Sequence, residues 1–151
     1  MTPSQAASQQ STMRVERVLE TALYVEDVNR AVEFYQRVLG LSVLAKSGEP
    51  ERLAAMDVGG KHVLLLFKSG ETWKDVNLPG GRIPGFDGKG NGHTAFPIDA
   101  SEWETWEKQL AANGIAIEST VEWERGGRSL YFRDPDGNLL ELATPGVWPT
   151  Y

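Results

Sequence analysis

Cysteine is absent from the chain, so disulfides, thiolate nucleophiles and cysteine-ligated zinc are excluded together. Any metal site must then draw on aspartate, glutamate or histidine, and histidine is scarce, with only His62 and His93. No apolar run approaches the roughly 18 residues that a membrane-spanning helix requires, so no membrane partner is expected. Positive charge is in deficit, 15 Lys and Arg against 21 Asp and Glu for a formal net charge of -6, and the basic residues are scattered. Such a surface repels phosphate backbones, which sets nucleic acid aside as a partner. Met1 to Met13 have neither the apolar core of a secretory signal nor the arginine content of a transit peptide. Residues 1–13 are therefore expected to form a disordered tail of a cytoplasmic protein, with 14–151 a single domain.

What is present is an internal repeat. The segment Glu20-Thr21-Ala22-Leu23-Tyr24-Val25 returns as His93-Thr94-Ala95-Phe96-Pro97-Ile98, each copy reading as a strand. An amphipathic helix follows each. The first is predicted from an N-cap at Asp27, through Val28, Ala31, Val32, Tyr35 and Val38 at helical spacing, to Gly40. The second is predicted from a capping box of Ser101 and Glu104, burying Trp103, Trp106 and Leu110, to Gly114. Strands are expected at Leu41 to Leu44 and Ile115 to Ile117, and Leu53 to Leu66 lines up with Ser129 to Leu142. The expected fold is α+β: two βαβββ modules, 15–68 and 92–145, whose bare sheet faces curve into a shared cup of mixed sheet. A connector at 69–91, rich in Gly and Pro, is expected to be mobile and to border a site.

Alternation along a strand places Glu20, Ala22 and Tyr24 on the face opposite Leu23 and Val25, which pack on the helix. Glu20 then points into the cup, where a carboxylate must find a cation or take up a proton. By the repeat His93 points the same way, and in the last strand Glu141 shares its row with Leu139 and Ala143. Tyr131 shares its row with Ser129 and Arg133, while Arg128 and Arg125, beside Gly126-Gly127, are candidates to bind a substrate anion. Trp103 and Trp106 read as helix core, His62 as a partly exposed strand residue, and Asp134 and Asp136 as turn chemistry.

Phe34-Tyr35 and Leu39-Gly40 after the first strand, Gly92-His93-Thr94-Ala95-Phe96, and the run from Tyr131 through Asp134-Pro135-Asp136-Gly137-Asn138 to Leu142 together resemble the vicinal oxygen chelate superfamily of glyoxalases, bleomycin-resistance proteins and extradiol dioxygenases. The resemblance covers Val15 to about Pro145. It implies one divalent metal ion held by Glu20, His93 and Glu141, with Glu20 where most relatives carry histidine. Two carboxylates and one imidazole suit Mn, Mg or Fe and also admit Zn or Ni. It further implies a glyoxalase-like lyase or isomerase acting on a small-molecule substrate with vicinal oxygens. The metal would stabilise an enediolate-type intermediate, Glu141 or Glu20 would detach as the catalytic base, and Tyr131 and Arg128 would contact substrate. An extradiol-type dioxygenase and a metal-free binding protein of the bleomycin-resistance type are the alternatives. A homodimer is implied, each cup formed within one chain or across two.

Overall fold

The structure is a computed structural model that describes residues 13–150, so the expected N-terminal tail lies outside the described residues except for Met13. Module one runs β1 (Glu20–Val25), α1 (Val28–Leu39), β2 (Ser42–Ser47), β3 (Leu53–Val58) and β4 (His62–Lys68). The connector carries β5 (Val76–Leu78) and β6 (Gly81–Ile83). Module two runs β7 (His93–Pro97), α2 (Trp103–Ala112), β8 (Ser119–Glu122), β9 (Arg128–Arg133) and β10 (Leu139–Ala143). The sheets have the same topology, β1-β4-β3-β2 and β7-β10-β9-β8, with the first strand of each module parallel to its last and the other pairs antiparallel. The fold is thus α+β, with two copies of one βαβββ unit. Among the described residues no helix is long and apolar enough to cross a membrane.

Local chemistry sets the helix limits. Asp27 accepts the Arg30 amide at 2.9 Å and so caps α1, satisfying one of the amides a helix start leaves without a partner. Gly40, at φ 68, takes the left-handed conformation that ends it. The second helix departs from expectation. Asp99, not Ser101, caps a 3-10 turn at Ala100–Glu102 by accepting both the amide and the hydroxyl of Ser101, and α2 begins only at Trp103 with no side-chain cap. The strand expected at Ile115 to Ile117 does not form. These residues tuck their apolar side chains partly against the core, and pairing starts when the Glu118 amide reaches the Tyr131 carbonyl.

The connector, expected without regular structure of its own to border a site, carries a two-stranded hairpin. Its β5–β6 hairpin is braced by the Asp75–Arg82 ion pair, and Phe86 packs edge-on against Phe67, 5.4 Å between centroids. Tyr24 and Thr72 share a hydroxyl hydrogen bond of 2.7 Å. Because Tyr24 shares its row with Glu20 and pairs in register with Phe67, the connector lies against the Glu20 face of module one.

The helix sides of the two modules merge into one core that joins Leu23, Val25, α1 and Leu66 to Phe96, Leu110, Phe132 and Leu140. Polar contacts fasten this junction. The Tyr35 hydroxyl donates to Asp134 Oδ2 at 2.9 Å and Gln109 Nε2 to the Val38 carbonyl at 2.8 Å. Asp134 Oδ1 meanwhile accepts the amides of Asp136 and Asn138, which fixes the turn between β9 and β10. Among the described residues no strand pairing joins the two sheets: β1 pairs with β4 and β7 with β10, and the other edge of each has no strand partner.

Candidate metal centre

Parallel pairing of β7 and β10 sets Leu139 beside His93, and His93 Nδ1 lies 3.0 Å from the Leu139 carbonyl oxygen. A carbonyl only accepts, so Nδ1 carries the hydrogen. The other ring nitrogen, Nε2, faces Glu141 Oε2 at 3.2 Å. In the neutral ring this brings a nitrogen lone pair against a carboxylate oxygen, an arrangement that calls for a cation between them: a proton or a metal. The separation suits one ion, since bonds of about 2.0–2.2 Å at right or tetrahedral angles put two donors about 2.8–3.6 Å apart. Glu141 is 6% exposed, so solvent does little to stabilise its charge, whereas His93 is exposed on the open side.

One further residue holds the carboxylate and another stands beside it. Antiparallel pairing with β9 puts Tyr131 opposite Glu141 and Ser129 opposite Ala143. Ser129, fully buried, donates its hydroxyl to Glu141 Oε1 at 2.5 Å and receives the Trp123 indole N–H at 2.9 Å. The Tyr131 ring stands 6.3 Å from the His93 ring. Its phenol is pushed above the ordinary range by burial first and by the Glu141 charge second, which keeps it a hydrogen-bond donor.

Of the residues named from sequence, His93, Glu141 and Tyr131 stand together. Glu20 does not join them within one chain: it is exposed on the free edge of β1, and among the described residues no three His, Asp or Glu side chains come together as a metal-holding group. Arg128 is a correction. Parity along β9 turns it to the helix side, where its guanidinium stacks 3.9 Å from the Trp103 ring centroid, on the opposite face from Tyr131 and Glu141. Arg133 does share the Tyr131 row but is engaged by both oxygens of Glu118. Sequence reading missed the roles of Ser129 and Trp123. Row parity set Ser129 beside Tyr131, but nothing in the spacing announced its bond to Glu141 or the indole contact across the β8–β9 turn.

Two repeated βαβββ units, the second presenting an imidazole and a carboxylate from adjacent strands, define a paired-module α+β protein. Residues 17–142 match the Glyoxalase/Bleomycin resistance protein/Dioxygenase superfamily, and the chain belongs to that family. A metallothiol transferase FosB of Shouchella clausii is 33% identical over 128 residues, covering 80% of this chain and 74% of that protein. A probable lactoylglutathione lyase of Vibrio cholerae is 30% identical over 132 residues, covering 83% and 88%. Among solved structures, the lactoylglutathione lyase of Agrobacterium tumefaciens superposes with a TM-score of 0.81 at 34% identity, covering 91% of this chain and 99% of that one.

Proposed function

We propose that the chain is a metal-dependent, glyoxalase-like lyase or isomerase acting on a small substrate with two neighbouring oxygens. The observation that carries this reading is the facing pair of His93 Nε2 and Glu141 Oε2, 3.2 Å apart, with Nδ1 held by a backbone carbonyl. His93 and Glu141 would hold one divalent ion (Mn, Mg, Fe, Zn or Ni), with Glu20 as third ligand. A bound ion would supply Lewis acidity toward the substrate oxygens. Tyr131, kept protonated by burial and by Glu141, donates a hydrogen bond to one of those oxygens. The half-buried Tyr24 and Phe67, with Phe86 of the connector, form an aromatic wall on the Glu20 face that excludes water from the bound substrate.

Glu20 is supplied by a second copy of the chain. The free edges of β1 and β7 flank an apolar cavity of about 1010 Å³, lined by Leu41, Val58, Leu64, Phe96, Ile98 and Trp106 among others, and a homodimer covers it. Metal analysis after purification without chelator tests the centre: the wild type retains about one ion per chain, and His93→Ala and Glu141→Ala retain none. A wild type that holds no ion and takes up none from solution would leave a binding protein without a metal as the reading. With metal restored, hemithioacetals and α-hydroxy thioesters should turn over, and catechols or epoxides with thiols should not.

A further inference from the structure

An indole N–H can only donate and an ionised carboxylate can only accept, and together these order the hydrogen bonds behind Glu141. Trp123 Nε1 donates to Ser129 Oγ at 2.9 Å, so the hydroxyl accepts there and its own hydrogen points to Glu141 Oε1, 2.5 Å away. While Glu141 is ionised, neither bond can reverse. Ser129 is fully buried between β8 and β10, and Trp123 is held at the β8–β9 turn by backbone hydrogen bonds, its amide donating to the Gly127 carbonyl and its carbonyl accepting from the Gly126 amide.

We infer that Trp123 and Ser129 are positioning residues that commit Glu141 Oε1 to the protein and leave Oε2 as the one oxygen able to grip an ion alongside His93. The inference rests on the metal centre proposed above and deepens it. A carboxylate with both oxygens free can swing between one-oxygen and two-oxygen binding or leave the ion altogether; one anchored through Oε1 does neither. Glu141 is then a permanent ligand, not a base that detaches. The proton-accepting role falls to Glu20, exposed on the free edge of β1 and outside this clamp.

Titration of the full-length protein with Co(II), followed by absorption and calorimetry, tests this. Outer hydrogen bonds to a ligand typically change metal affinity by about 10–100-fold. Ser129→Ala is expected to weaken Co(II) binding by that range and to alter the visible spectrum as Glu141 gains a second binding mode. Trp123→Phe, which keeps the ring and removes the N–H, should produce a smaller change in the same direction, and Ser129→Thr should restore both affinity and spectrum. Because Trp123 sits at a turn and is 39% exposed, its variant keeps the test open should Ser129→Ala fail to fold. Wild-type affinity and spectrum in Trp123→Phe together with any folded Ser129→Ala would overturn the relay and leave the metal centre standing. No Co(II) binding by the wild type would overturn both.

Discussion

The Tyr35 phenol shows how one side chain can tie two modules together. It is buried against Asp134, and burial first, then that carboxylate, push its ionisation far above the ordinary phenol range. In the unfolded chain the same group loses its proton near pH 10. The unfolded state therefore releases a proton that the folded state retains, and stability is lost progressively as pH rises above about 10. Tyr35→Phe should lower stability at neutral pH by about 1–3 kcal/mol, because Asp134 Oδ2 keeps only its bond from Asn138, and should flatten the alkaline loss. Urea titrations at pH 7 and pH 11 check both. Arg128 belongs to the same scale. Stacked on Trp103 and turned from the Glu141 face, it should tolerate Arg128→Ala with unchanged Co(II) affinity and a stability loss of about 0.5–1 kcal/mol, whereas a tenfold loss of affinity would return it to the site.

At the scale of elements, the β8–β9 turn is where backbone packing serves the metal centre. Gly127 lies against Gly146 so closely that a Cβ there would stand 2.4 Å from the Gly146 carbonyl carbon, a backbone atom that cannot step aside. Gly127→Ala should therefore destabilise by about 1–3 kcal/mol, read as a lower Tm. The displaced turn should also weaken Co(II) binding, because the same turn carries Trp123 to Ser129. Unchanged Tm and affinity would show that the turn yields freely. The start of α2 illustrates how two good caps compete. Ser101 and Glu104 fit a capping box by spacing, but Asp99, two residues earlier, binds the Ser101 amide and hydroxyl and so draws Ser101 into the 3-10 turn instead of leaving it at the cap position. These bonds also hold the Asp99 carboxyl below its usual range. Helix periodicity, by contrast, was readable without help: Val28, Ala31, Val32, Tyr35 and Val38 all lie buried in α1.

At the scale of the whole molecule, the modules join through their helix sides and not through β1 and β7. If Glu20 reaches His93 and Glu141 only from a second copy, the protein sediments as a dimer. Mixing Glu20→Ala with His93→Ala chains should then rebuild one intact site in each mixed dimer. After random exchange about a quarter of wild-type metal occupancy returns, although neither variant alone holds a full site. Failure of mixed dimers to regain any occupancy would place all the ligands within one chain or remove Glu20 from the set.

The order of residues was enough to reveal the duplicated βαβββ plan and the rows on which His93, Glu141 and Tyr131 lie, because strand alternation and helix periodicity are local consequences of backbone geometry. It was also enough to place Asp27 and Gly40 at the ends of α1. Three-dimensional packing alone decided that Arg128 stacks on Trp103, that Trp123 reaches Ser129, that the connector folds into a hairpin, and that Glu20 stands apart from the other two acid and imidazole groups. Those outcomes depend on contacts between segments distant in the chain or on the choice among competing partners, and no local period encodes them.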